Sequence, residues 1–140
     1  MTIQPANNKD INELANLETS IFDKLNFPIS KASFRYHIKR NLILKYVDEG
    51  EILGYILVLT SFKIPRIYSL GVSLQARGKG VGAALLGDIC SKFKNLRLEV
   101  RKDNIGAIKL YEKFEFKNKK LIRAYYDDGM DAIEMVKTKI

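Results

Sequence analysis

Apolar and polar positions along the chain follow two periods, and the switches between them mark out the elements. In "NNKDINELANLETSIF", Ile11, Leu14, Leu17, Ile21 and Phe22 recur at helical spacing behind Asn8 or Asp10 as a cap, which predicts an amphipathic helix. Pro28 breaks the pattern, and Ser30 is placed to cap a second helix, "KASFRYHIKR", with Phe34 and Ile38 on one face. His37 lies beside that stripe and reads as a structural or surface residue. The period then changes. "LILKYVDEGEILGYILVLT" is two strand-like runs separated by "DEG", an antiparallel hairpin turning near Asp48 to Gly50. Gly54 inside the second run implies a bulge or a close backbone approach. After Pro65, "RIYSLGV" reads as another strand. A helical pattern returns with Val81, Leu85, Ile89 and Phe93, which leaves Cys90 as a buried structural thiol beside that face. "LRLEV" alternates Leu96, Leu98 and Val100 against Arg97 and Glu99. A capped helix, "DNIGAIKLYEKF", and two closing strands in "FEFKNKKLIRAYY" and "MDAIEMVKTKI" complete the chain.

Composition narrows the class. At 140 residues and 46% hydrophobic, without repeats or low-complexity tracts, residues 1–140 are expected to form a single α/β (α+β) domain with a real core. No apolar run approaches the roughly 20 residues of a membrane span, and the N-terminus lacks the layout of a secretory signal. A cytoplasmic protein is expected. One cysteine excludes an internal disulfide, and one histidine beside it leaves a metal site short of ligands, so no metal is expected. The net charge of +8 favours anionic partners, but the basic residues are scattered and no aromatic RNA-binding motif accompanies them. Direct nucleic-acid binding is therefore not the expected role.

The chemistry concentrates in "SLGVSLQARGKGVGAALLGDIC", where a strand passes through a glycine turn into a helix. Backbone N–H groups at such a helix N-terminus, aligned with the helix dipole, form a phosphate site. A P-loop fails because Gly80, not Ser or Thr, follows Lys79. Gly78, Gly80 and Ala83, with Glu99 about 20 residues on, match a dinucleotide fingerprint, but too few residues remain to build that fold. The third pattern is R-x-x-G-x-G, formed by Arg77, Gly80 and Gly82 behind "SLGV".

Here the sequence resembles the GCN5-related N-acetyltransferase (GNAT) family over nearly its whole length. The resemblance implies a mixed central sheet of about seven strands flanked by about four helices, and acetyl-coenzyme A as co-substrate. It places Leu70, Gly71 and Val72 along the pantetheine and thioester, and Arg77, Gly78, Lys79, Gly80, Val81, Gly82 and Ala83 around the pyrophosphate. Leu74 stands where the family commonly has proline. "LEVRKDNIGAIKLYEKFEF" is similar to the branch that holds bacterial ribosomal-protein alanine acetyltransferases and eukaryotic N-terminal acetyltransferase catalytic subunits. Its closing glycine is replaced by Glu115, which implies an altered connection out of the helix. "AYYDDGMDAIEM" resembles the same branch.

Amide formation from a thioester needs a neutral amine, a stabilised oxyanion and a proton for the leaving thiolate. Asn104 and Tyr111, seven residues apart, share a helix face about 10 Å along its axis. Asn104 is suited to the cofactor's amide-bearing arm and Tyr111, with an ordinary phenol near 10, to protonating the sulfur. By resemblance Glu99 is the base, acting through water; the bland alternative makes it one charge in a ladder with Arg97 and Arg101. By resemblance too, Tyr125 and Tyr126 line the acceptor entrance, and "NFPISKASF", with Pro28 and with Ile29 in place of a tryptophan, forms the substrate loop. At pH 7 an α-amine of pKa about 7.8 is on the order of 10% neutral and a lysine below roughly 0.1%, so a protein N-terminus, ribosomal-protein alanine first, is the expected acceptor. A small-amine acetyltransferase and a non-catalytic acyl-coenzyme A-binding module stand as alternatives.

Overall fold

The structure, a computed structural model, describes residues 1–22 and 28–138. In chain order they form β1 (Thr2–Pro5), α1 (Ile11–Ile21), α2 (Lys31–Arg40), β2 (Leu42–Asp48), β3 (Glu51–Leu59), β4 (Arg66–Val72), α3 (Val81–Lys92), β5 (Leu96–Arg101), α4 (Ile105–Lys113), β6 (Lys117–Ile122) and β7 (Ala132–Lys137). The seven strands make one sheet in the order β1-β2-β3-β4-β5-β7-β6. Among the described residues no helix is long and apolar enough to cross a membrane.

Most elements stand where the periodicity puts them. Ser30 caps α2, its hydroxyl accepting from the Ser33 N–H at 3.1 Å. The β2–β3 hairpin closes through Glu49 and Gly50, both at positive φ, which matches the twist of the flanking strands. Gly54 satisfies both expectations at once. The β2–β3 register shifts beside it, and a Cβ there would lie 2.8 Å from Val81 Cγ1 and 2.9 Å from the Gly71 carbonyl. Periodicity does not reveal β1, which is four residues long and mostly exposed; its pairing with Leu44–Val47 of β2, not its own side chains, makes it a strand.

Two cores form because β3 is apolar on both sides. Tyr55 and Leu57 face α1 and α2, packing with Leu14, Leu17, Phe34 and Ile43. Ile56 and Val58 face the other way, toward Leu85 and Ile89 of α3, Leu98 of β5, Tyr111 of α4, and Met135 of β7. Each helix pair thus covers one face of the sheet.

One junction departs from regular pairing. All neighbouring strands are antiparallel except β4 and β5, whose parallel contact consists of Arg66↔Arg97 and Ile67↔Leu98 alone. On the other side of β4, the register with β3 jumps from Val58↔Ile67 to Leu57↔Ser69, so Tyr68 is an extra residue. A bulge bends its strand. Here it does so directly after Ile67, and β4 and β5 separate beyond it.

The connection after α4 corrects the expectation raised by Glu115. The Phe116 N–H donates to the Tyr111 carbonyl at 3.1 Å and the Glu115 N–H to that of Glu112 at 3.0 Å, so the helix closes as it would with glycine. Glu115 accepts a φ of 71° to do this. A non-glycine residue in that region costs about 1 kcal/mol. Glu115→Gly is expected to stabilise the protein by about 0.5–1 kcal/mol, read as a melting temperature raised by a few degrees; an unchanged or lower melting temperature contradicts the argument.

Candidate active site

The separation of β4 from β5 opens a cavity of about 550 Å³. Its walls are Arg66–Leu70 of β4, Leu98–Arg101 of β5, Asn104, Ala107 and Tyr111 on and before α4, and residues 125–128 of the β6–β7 loop; Glu18 of α1, Phe22 just after it, and Ile29 close the remaining side. Beyond Ile67 the edge of β4 that faced β5 has no strand partner among the described residues, so its backbone groups point toward this space.

Each predicted residue can now be located. Leu70, Glu99, Asn104, Tyr111, Tyr125, Tyr126 and Ile29 all line the cavity. Gly71, Val72, Pro28 and the turn from Arg77 to Ala83 lie outside its wall. Asn26 and Phe27, the start of the expected substrate loop, lie outside the described residues. Beyond the end of β4, Leu74–Ala76 forms a short 3-10 turn leading to the glycines.

The glycine turn is shaped by its backbone. Gly78 and Gly80 stand at φ 79° and 82°, a region that disfavours any side chain. The first bond of α3 runs from the Ala84 N–H to the Gly80 carbonyl at 2.9 Å. The N–H groups of Val81, Gly82 and Ala83 precede it and, among the described residues, have no acceptor. Arg77 and Lys79 are exposed beside them without a carboxylate partner among the described residues. Val81 itself is 2% exposed and belongs to the core, so only its main chain faces outward. This donor set fits a phosphate.

Gly71 has a different purpose. Opposite Tyr55 in the sheet, it is where a Cβ would lie 2.7 Å from the Tyr55 ring, and that ring is fully buried. The glycine makes room for Tyr55.

On α4, Asn104 stands at the N-cap rather than in the helix, its Oδ1 accepting from the Ala107 N–H at 3.2 Å. The amide nitrogen has no acceptor among the described residues. Tyr111 is buried against Phe116, and burial, assisted by nearby Tyr126, pushes its phenol up to about 12. It stays protonated at any physiological pH.

Glu99 projects into the cavity with its side chain 7% exposed, ion-paired with Arg66 and, at 3.5 Å, with Arg97. Arg101 belongs instead to Asp103 and Asp128, so the expected ladder is only partly realised. Arg66 was invisible to the pattern because it lies on a neighbouring strand. It also donates to the Tyr125 hydroxyl at 3.0 Å and stacks over Tyr68. Tyr125 and Tyr126 sit in the β6–β7 loop rather than at a strand end, their rings edge to face at 5.0 Å.

The sequence reading also missed Glu18. It is 3% exposed, on the buried face of α1 with Leu14 and Ala15, and it lines the cavity. Tyr55 donates its hydroxyl to Oε1, the Ile29 N–H donates to Oε2 at 2.8 Å, and Ser69 shares a 2.8 Å hydrogen bond with the same Tyr55 hydroxyl. The available signal was a carboxylate interrupting an apolar stripe, four residues from Leu14 and from Phe22.

A profile of the acetyltransferase (GNAT) domain matches residues 14–139. The chain belongs to the GNAT acetyltransferase family. This GNAT protein is an N-acetyltransferase, and its seven-stranded sheet and four helices are the family fold. It is 32% identical to an uncharacterized N-acetyltransferase of Methanocaldococcus jannaschii, over 99% of this chain and 92% of that one. It is 33% identical to an N-alpha-acetyltransferase of Sulfolobus acidocaldarius, over 95% and 89% of the two chains. Among solved structures, the ribosomal-protein-S18-alanine N-acetyltransferase of Escherichia coli superposes with a TM-score of 0.88 at 25% identity, over 99% of this chain and 95% of that one.

Because Tyr55 has no space to retreat, Gly71→Ala is expected to destabilise the GNAT domain by about 1–3 kcal/mol, measured by thermal or denaturant unfolding. A variant that melts with the wild type refutes the close-approach explanation for this glycine.

Proposed function

We propose that this GNAT protein transfers the acetyl group of acetyl-coenzyme A to the α-amine of a protein N-terminus. The observation that carries the reading is that one strand, β4, joins the cavity to a phosphate-fitting turn and, among the described residues, keeps a backbone edge without a strand partner between them. An N-alpha-acetyltransferase among its relatives and a ribosomal-protein-S18-alanine N-acetyltransferase among the similar structures support the same acceptor class.

In this reading the N–H groups of residues 80–83 with Arg77 and Lys79 hold the pyrophosphate, and the main chain of Leu70–Val72 holds the pantetheine. The Asn104 amide donates to the same arm. Acetyl-coenzyme A supplies the acyl group as a thioester. Overall, a protonated amine and the thioester give an amide, a free thiol and one released proton. The Tyr111 hydroxyl gives its proton to the leaving sulfur. A phenol near 12 is a weaker acid than a thiol of about 8.5, so the proton departing from nitrogen must replace it in the same event. Tyr125, Tyr126 and Ile29 border the entrance for the acceptor chain, with Pro28 beside them. Glu99 is ion-paired with two guanidinium groups, those of Arg66 and Arg97. Its work here is to hold Arg66, and through it Tyr125, while ordering water in the cavity.

The direct test is mass-spectrometric detection of acetyl transfer to matched peptides, one set with free N-termini and blocked lysines, the other reversed, with alanine first among the starting residues. Transfer to the free N-termini is the expected result; transfer confined to lysines or to small amines overturns the acceptor assignment. Tyr111→Phe is expected to lower kcat about a hundredfold while calorimetry shows unchanged acetyl-coenzyme A affinity. Undiminished kcat removes Tyr111 as the acid.

A further inference from the structure

Among the carboxylates that line the cavity, Glu18 has surroundings opposite to those of Glu99. Glu18 reaches the wall from α1, and the donors on it are neutral: the Tyr55 hydroxyl from β3 and the Ile29 N–H from the segment before α2. From β4 it meets the Ser69–Tyr55 hydrogen bond, with the Tyr68 phenol farther out. α2 packs on α1 through Phe34 and, among the described residues, brings no charged partner to it. The cationic side chain of β4 in the same cavity, Arg66, is committed to Glu99. A carboxylate offers about four lone-pair directions, and two are used. Ser69, which anchors the network, immediately precedes Leu70–Val72, the strand segment assigned to the acyl donor.

We infer that Glu18 is the group that receives the acceptor's ammonium and takes its proton. This rests on the N-terminal acetyltransferase reading above. One N–H bond of the ammonium breaks, one O–H bond forms on Glu18, the electron pair remains on nitrogen as the nucleophile, and the proton later leaves to water. Tyr55 and Ser69 hold the carboxylate in place, and Ile29 ties it to the acceptor side of the cavity. Burial raises the affinity of Glu18 for a proton above that of an ordinary carboxylate, against the opposing pull of its two hydrogen bonds. That direction suits a proton acceptor, and Glu99 is already engaged by two guanidinium groups.

Glu18→Gln separates this role from a structural one. The glutamine oxygen can accept from the Ile29 N–H, and its NH₂ can donate to the Tyr55 oxygen, so the packing contacts survive while the base is lost. The measurement is kcat/KM from pH 6 to 9.5 on a lysine-blocked peptide with a free α-amine, with melting temperature and acetyl-coenzyme A affinity as controls. The expected result is a loss of tenfold or more near pH 6.5, shrinking toward none as the pH passes the α-amine's pKa of about 7.8, where the amine no longer needs a base. Equal activity at every pH, or a loss that is uniform across pH, overturns the inference. Should Glu18→Gln fail to fold, Tyr55→Phe decides: it removes a hydrogen bond that favours the charged carboxylate, so the acid limb of kcat/KM should move to higher pH. An unmoved limb overturns the inference. A wild type inactive on free N-termini defeats the acceptor reading itself, an outcome distinct from either variant result.

Discussion

The fold turns on a parallel strand pair that stops after two residues. Continued pairing between β4 and β5 would satisfy both backbones and fill the sheet with a regular ladder. Instead the bulge at Tyr68 bends β4 where Ile67 and Leu98 end the contact. The cost is a row of backbone groups without strand partners, and the gain is a cavity whose wall can hydrogen-bond an extended ligand. The surrounding structure must be rigid enough to hold the two strands apart. Antiparallel ladders on both flanks, β3 against β4 and β7 against β5, provide that, with a packed core on each face of the sheet.

The same opening sorts the titratable groups. Glu18 of α1 and Glu99 of β5 face one cavity and meet different partners there. Glu99 sits between two arginines. Glu18 is buried among neutral donors and holds a proton more readily than an ordinary carboxylate. Tyr111, the third group, is driven to about 12 by burial and stays protonated. Gly71 contributes by its lack of a side chain, because the Tyr55 ring that orients Glu18 occupies the place of its Cβ.

Much of this was legible along the chain. The α2 boundaries, the hairpin turn and the close approach at Gly54 followed from periodicity, capping and turn chemistry, all of which act between near neighbours. The glycine turn was legible because a phosphate site at a helix N-terminus needs glycines in a fixed order. β1 was not, since its strand character comes from β2. Glu18 was passed over because α1 was read for its apolar residues, and a lone carboxylate on that stripe has no meaning until its partners on β3 and before α2 are known. The family resemblance implied a changed connection at Glu115, yet the backbone bonds of the helix end outweigh the strain of one left-handed residue.

By itself the sequence determined every element but β1, the family and the phosphate-fitting turn, since each depends on spacing within a few residues. Tertiary structure decided which charges meet. Arg66 and Glu99 are 33 positions apart, Glu18 and Tyr55 are 37, and only the sheet order and the register of α1 on β3 bring them together. Proton affinity follows burial and neighbours at a few ångströms, so the readiness of Glu18 to take a proton is a property of the folded cavity.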